Sequence, residues 1–107
     1  MPNKYKFAFT PLAEQDIDSV LDYISENLKN KKAAVDMLDK VENAIENACV
    51  LPYGFPDCEI YFIADDKIRH VTIDNYVMIY GVDDENKQIN ILRFRYAKMN
   101  LEGIRTK

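Results

Sequence analysis

Apolar residues along this chain recur with two different periods, and the change between them falls near the middle. Residues 5–9 alternate, with Tyr5, Phe7 and Phe9 on one side and Lys6 and Ala8 on the other, which predicts a short edge strand. From Ala13 the spacing becomes three and four: Ala13, Ile17, Val20 or Leu21, Ile24 and Leu28 trace one stripe of a helix. Thr10-Pro11 supplies its start, because a threonine N-cap accepts from an early helical N–H and proline at the first helical position loses no hydrogen bond. Glu14, Asp16 and Asp18 then stand near the positive end of the helix dipole. Asn27-Leu28-Lys29-Asn30 interrupts the stripe, and a second begins at about Lys32 with Ala34, Leu38, Val41, Ile45 and Ala48. Two amphipathic helices joined by so short a linker predict an antiparallel helical hairpin. Pro52-Tyr53-Gly54-Phe55-Pro56 ends it.

Beyond that point the period is two. Residues 59–64 form a short apolar run before Asp65-Asp66, and segments 68–73, 76–82 and 89–96 are rich in Ile, Val, Tyr and Phe. Asp74-Asn75 and residues 83–87 read as the hairpin turns between the last three. The predicted fold is therefore α+β in the order β–α–α–β–β–β: an N-terminal strand, a two-helix hairpin, then a three-stranded antiparallel meander with the helices packed on one sheet face. With no internal repeat and no linker long enough to separate independent units, residues 1–107 are expected to form a single domain.

Composition sharpens this picture. A chain of 107 residues that is 48% apolar can bury a core without disulfides or metal, and 7 Tyr with 5 Phe exclude intrinsic disorder. The first residues lack the apolar core of a secretory signal, and no apolar run is long enough to span a membrane. A cytoplasmic protein with two reduced thiols, Cys49 and Cys58, is expected. The net charge of −4 hides an asymmetry: residues 1–54 hold six basic and nine acidic side chains, whereas residues 86–107 hold Lys87, Arg93, Arg95, Lys98, Arg105 and Lys107 against Glu102 alone. A basic C-terminal surface that faces a polyanion or an acidic partner follows as an expectation.

Most catalytic signatures are missing. Three glycines leave no phosphate-cradling loop, His70 with two distant cysteines makes no zinc site, and Ser19 and Ser25 have no histidine nearby in the pattern. No cofactor or metal is expected. What remains is the last strand, where Arg93 and Arg95 alternate onto one face, Leu92, Phe94 and Tyr96 onto the other, and Lys98 follows just beyond. Arg69, on the first meander strand, joins them if its face matches. Guanidinium, ammonium and phenol groups together suit metal-free phosphodiester cleavage, because cations stabilise charge developing on phosphate oxygens while a tyrosine moves a proton. The same residues equally suit a solvated sheet face, or ion pairs with the acidic helices.

Several segments, taken in order, resemble a known family. They are Tyr5-Lys6-Phe7-Ala8-Phe9-Thr10-Pro11-Leu12-Ala13-Glu14 with Asp16-Ile17, then Leu21-Asp22-Tyr23-Ile24, and residues 38–45 of the second helix. Leu51-Pro52-Tyr53-Gly54, Arg69, the run from Asp74 to Asp83, and Ile91-Leu92-Arg93 complete the set. Nearly end to end, the chain resembles the RelE/ParE superfamily of small bacterial toxins from type II toxin–antitoxin modules, often labelled plasmid-stabilisation proteins. The resemblance implies a toxin that arrests growth when free of a cognate antitoxin encoded alongside it, within a higher-order toxin–antitoxin complex. RelE-like members enter the ribosome and act as mRNA interferases; ParE-like members poison DNA gyrase without nuclease chemistry. On the RelE-like branch, Arg69, Arg93 and Arg95 would hold phosphate, with Tyr96 or Lys98 near the reacting oxygens.

Three departures tilt the expectation toward gyrase. Val77 stands where RelE-like nucleases commonly carry an arginine, and Tyr96-Ala97-Lys98-Met99-Asn100 keeps the aromatic and one cation of the family's last strand but has Met99 in place of the second. A pI near 4.9 is low for a protein that approaches ribosomal RNA. The long helical hairpin is also ParE-like. A third reading, an antitoxin-binding module without toxicity, fits Met99 and the acidic balance. For the antitoxin, the cationic last strand beside an apolar groove between hairpin and sheet suits an acidic amphipathic helix or an added strand, burying about 2,000 Å² or more.

Overall fold

Thr10 starts the first helix as its place in the sequence requires: its hydroxyl accepts from the Ala13 N–H at 3.1 Å and donates to the Leu92 carbonyl at 3.2 Å. A single side chain thereby caps the helix and fastens it to the last strand. A computed structural model describes residues 4–55 and 67–96; the apolar run 59–64, Cys58, Lys98, Met99 and the tail after Asn100 lie outside the described residues. The elements are β1 (Lys6–Phe9), α1 (Pro11–Asp22), a π-helical turn (Tyr23–Asn27), α2 (Lys31–Val50), β2 (Ile68–Ile73), β3 (Tyr76–Asp83) and β4 (Gln88–Tyr96). This is the α+β order that the sequence predicts.

The four strands form one sheet in the order β1-β4-β3-β2. β2, β3 and β4 make the antiparallel meander. The edge strand β1 runs parallel to β4, with Phe7 beside Ile89 and Phe9 beside Ile91. A parallel neighbour needs a long crossover, and the helical hairpin with β2 and β3 provides it.

The helices cover one face of this sheet. Ala13, Ile17 and Ile24 from α1 and its π turn, and Met37, Val41, Ala44, Ile45, Ala48 and Cys49 from α2, pack onto Ile73, Met78, Tyr80, Val82, Ile89, Ile91 and Phe94. The wider i→i+5 turn at Tyr23–Asn27, closed by the Leu28 N–H on the Tyr23 carbonyl at 3.1 Å, carries Leu28 away from the predicted stripe and leaves it 56% exposed. In α2 the predicted stripe holds at Val41, Ile45 and Ala48 but not at Leu38, which stays 38% exposed while its neighbour Met37 is buried. Lys29 takes a left-handed φ of 53° between the two helices, and Asn30 then caps α2 by accepting from the Ala33 N–H.

Tyr80 is the largest fully buried side chain, and its phenol donates to the Pro52 carbonyl at 2.7 Å. Burial pushes that phenol up to about 12, so it remains a proton donor that pins the turn after α2 to the sheet. On the opposite sheet face Val77 and Ile79 are buried with Ile68 and Leu92 around them.

Candidate functional site

A bulge in β4 decides where the candidate residues point. Ile79 pairs with Arg93, but its neighbour Tyr80 pairs with Ile91, so Leu92 is an extra residue in the strand. The alternation therefore slips by one. Ile91 and Phe94 both enter the core beneath the helices, while Leu92 packs with Val77 and Ile79 on the opposite face. The expectation that Leu92 shares a face with Phe94 and Tyr96 is corrected by this slip.

Arg93 reaches α1 from the strand edge beyond the end of β1. Its Nε donates to Asp16 Oδ2 at 2.7 Å and its Nη2 to Oδ1 at 3.3 Å; the same carboxylate accepts from the Phe94 N–H at 3.0 Å. With side-chain exposures of 27% and 13%, this forked pair is half-buried and holds α1 against β4. Asp16 is thus a partner of the last strand rather than only a dipole-facing acid.

Arg69 sits elsewhere. It pairs across the sheet with Tyr80, whose side chain is in the core beneath the helices, and Arg93 and Arg95 pair with Ile79 and Val77 of the other face. The faces do not match, so the described arginines are not brought into one cluster. Arg69 donates to the Phe55 carbonyl at 2.9 Å and lies over the Tyr53 ring at 4.8 Å. Tyr53 in turn donates to Asp84 Oδ2 at 2.8 Å, and Tyr5 donates to Asp84 Oδ1 at 2.8 Å. These hydrogen bonds, from Tyr5 first and then Tyr53, hold the Asp84 carboxyl below the usual range. The cluster ties the start of the chain, the turn after α2 and the β3–β4 turn together.

Arg95 stands half-buried opposite Val77. Tyr96, 39% exposed, meets Tyr76 edge to face at 5.5 Å, and Tyr76 stacks on Phe94 at 5.4 Å. Burial, and then Tyr23 and Tyr96, raise the Tyr76 phenol above its ordinary value. Lys98 lies outside the described residues. His70, on the Arg93 side of the sheet, has a buried Nδ1 with no hydrogen-bond partner among the described residues. Among the described residues, no three His, Cys, Asp or Glu side chains converge as metal ligands.

A second feature lies on the helix side, between β1 and the hairpin. It is an open groove of about 620 Å³ floored by Phe7, Phe9, Ile17, Leu38, Val41 and Ile45. Glu14 and Asp18 of α1 and Glu42 and Glu46 of α2 border it. The apolar groove that the sequence places between hairpin and sheet is thus rimmed by carboxylates, not by the basic residues of the last strand.

With this geometry in view, a family profile described as "ParE toxin of type II toxin-antitoxin system, parDE" matches residues 7–101. The chain belongs to the ParE toxin family. No individually curated protein matches it at a significant level. Among solved structures, this ParE-family chain is similar to a chain of the chromosomal ParDE system from P. aeruginosa, with a TM-score of 0.67 and 16% identity over 88% of this chain and 97% of that one. It is also similar to a chain of the RelBE2 toxin–antitoxin complex from Mycobacterium tuberculosis, with a TM-score of 0.56 and 17% identity over 87% and 98%. At these identities the structures share the fold.

Two features of the ParE-family chain escape a strand-by-strand reading. Asp16 binds a residue 77 positions away, which no local spacing announces. The groove does leave a local signal: Glu14–Asp18 and Glu42–Glu46 are like charges one helical turn apart, an arrangement that weakens an isolated helix.

Proposed function

We propose that this ParE-family toxin arrests growth by binding DNA gyrase when it is free of its antitoxin, and that it works as a binding protein without nuclease chemistry. The supporting observation is the engagement of the cationic set. Arg93 is forked onto Asp16, Arg69 is held by the Phe55 carbonyl and the Tyr53 ring, and the two arginines lie on opposite faces of the sheet. A phosphate-binding site needs donors that converge on one anion and are not already neutralised. The match to the ParE profile leans the same way. On this reading the toxin acts in the cytoplasm and pairs with an antitoxin encoded beside it.

The direct test is a supercoiling assay with purified gyrase and the purified chain. Inhibition that persists in the Arg95→Ala variant is the expected result. Gyrase that is unaffected by excess toxin overturns the reading.

One observation favours a second reading, RelE-like cleavage of mRNA on the ribosome. Arg95 has no ion-pair partner among the described residues, and it is next to the exposed Tyr96. Arg95 would then hold the scissile phosphate, with Tyr96 or Lys98 placing a proton on the leaving oxygen. Cleavage of ribosome-bound mRNA by the wild-type chain, lost in Arg95→Ala, would establish it. A folded chain that binds antitoxin but inhibits neither target would instead be a non-toxic binding module.

A further inference from the structure

The tip of the helical hairpin leaves apolar side chains in solvent where the sequence pattern alone would bury one of them. A continuous α-helix would carry Leu28 on the stripe of Ala13, Ile17 and Ile24. The π turn at Tyr23–Asn27 takes up one residue more, and each residue turns a helix by about 100°. Leu28 is thereby 56% exposed, and Tyr23, the first residue of the turn, is 49% exposed. The chain then leaves the helix through Lys29 at φ 53°, a left-handed conformation in which glycine is the usual residue. Two departures from ordinary helix geometry thus accompany a leucine and a tyrosine held outside the core, and such departures gather where a surface is used.

These residues adjoin the aromatic end of the sheet. Tyr76 stacks on Phe94 and meets Tyr96 edge to face, and Tyr23 stands near enough to act on the Tyr76 phenol. Between the hairpin tip and the β2–β3 turn lies an open cavity of about 550 Å³, with Ile24, Leu28, Met37 and Tyr76 in its walls. Its two acids are already matched. Both oxygens of Asp74 accept from the Lys40 ammonium, at 3.0 and 2.9 Å, and Asp36 stands 3.6 Å from Lys32. We propose that this end of the molecule, with Tyr23 and Leu28 as anchors beside the cavity, is the surface through which the toxin holds gyrase, an apolar side chain of gyrase entering the cavity. The proposal rests on the reading of the chain as a gyrase-binding toxin, and it adds the contact surface.

The chemistry of the site selects the protein surface of gyrase, and not its DNA, as the occupant. Binding to nucleic acid draws on cations that are free to neutralise phosphates. Here Lys40 and Lys32 are engaged by Asp74 and Asp36, so the cavity walls offer matched charges and apolar atoms. The cores of protein interfaces are built that way: unpaired charge is depleted, Tyr and Met are enriched, and a few anchors in desolvated pockets carry most of the affinity. The tip also lies at the opposite end of the hairpin from the acidic groove, whose carboxylates belong to the first turns of α1 and the second half of α2. A partner seated on the tip does not meet those carboxylates.

The test uses the full-length chain, purified gyrase holoenzyme and the double variant Tyr23→Ala with Leu28→Ala. Val50→Ala, at an equally exposed apolar residue at the far end of α2, is the control. Neither Tyr23 nor Leu28 belongs to the cationic set, so a nuclease mechanism gives them no part. Affinity is read by calorimetry and by the toxin concentration that inhibits supercoiling, with circular dichroism as a check on folding. The double variant should bind gyrase about tenfold or more weakly, and the control should stay within about twofold of the wild type. Hydrogen exchange on the wild-type complex gives a second measurement that does not depend on how the variant folds: amides of residues 23–30 should exchange more slowly with gyrase bound. Full gyrase affinity in a folded double variant, or no added protection at the tip, overturns the surface while leaving the gyrase reading intact. Binding of the wild type to a DNA duplex alone, lost in the double variant, would assign the tip to nucleic acid and overturn it. Dissociation of a self-dimer by the double variant would assign the tip to a second copy, with the same consequence. A wild-type chain that does not bind gyrase at all overturns the gyrase reading and the surface with it.

Discussion

The last strand and the helical groove are two charged regions of this toxin, and Arg93 in the first and the carboxylates of the second use their charges in opposite ways. Along β4 the arginine Arg93 is neutralised by Asp16 inside a half-buried fork, and across the sheet Arg69 is taken up by a carbonyl and an aromatic ring. In the groove three of four rim carboxylates meet no cation among the described residues. Through Arg93 the basic end of the sequence contributes to holding the fold together, while three carboxylates of the acidic half stay unpaired among the described residues. A count of charges along a chain measures how many groups exist; recognition depends on how many are left after the fold has paired its own.

The comparison is most exposed at Asp16. Replacing it with alanine removes the carboxylate that the Arg93 guanidinium and the Phe94 N–H share in a half-buried site, and should cost about 3 kcal/mol in urea unfolding. Asp16→Asn, which keeps an acceptor for the N–H, should cost less. A loss under about 1 kcal/mol for the alanine variant would mean that Arg93 is not engaged by the fold, and the contrast would collapse.

Tyr80 tests the turn on which Arg69 depends. Tyr80→Phe removes the hydrogen bond to the Pro52 carbonyl and should cost about 1 kcal/mol near neutral pH. The phenol's folded pKa, about 12, lies above its ordinary value of 10.0, so folding favours the protonated form. That contribution is present in full below the unfolded value and is lost as pH rises through the folded one. Stability should therefore fall between pH 10.0 and about 12, and the fall should be smaller in Tyr80→Phe. It should not vanish, because Tyr76 and Tyr5 are raised in the same direction.

Thr10→Ala should also lower stability by about 1 kcal/mol in thermal or urea unfolding, through loss of the helix cap and of its tie to Leu92. The smallest effect belongs to Arg95. Arg95→Ala should change stability by no more than about 0.5 kcal/mol. On the gyrase reading it should leave growth arrest intact; relief of arrest by a variant that unfolds like the wild type would move the function to the nuclease branch.

Much of this architecture was legible because its signals are local. Thr10-Pro11, the three-and-four spacing from Ala13, the Pro52–Phe55 turn and the period-two runs each depend on neighbours within a few residues, and the elements appear where those signals stand. What was not legible depends on tertiary partners. The bulge at Leu92 breaks an alternation that the sequence presents as unbroken, because the register of β4 is set by Ile79 and Tyr80 opposite. Met37 rather than Leu38 faces the core, a choice between adjacent apolar residues that only tertiary packing decides. Arg69 belongs to the opposite face from Arg93 through pairing alone. The groove's carboxylates could be read as like-charge pairs on each helix, but only the packing of the hairpin against β1 brings the two pairs to one rim.

The most direct measurement is pulse labelling of DNA and protein synthesis after the toxin is induced without antitoxin. The account predicts that DNA synthesis collapses first, with protein synthesis following later, and that Arg95→Ala gives the same order. Early collapse of protein synthesis, with DNA synthesis continuing, would contradict it and make the Arg95–Tyr96 end of β4 a catalytic surface.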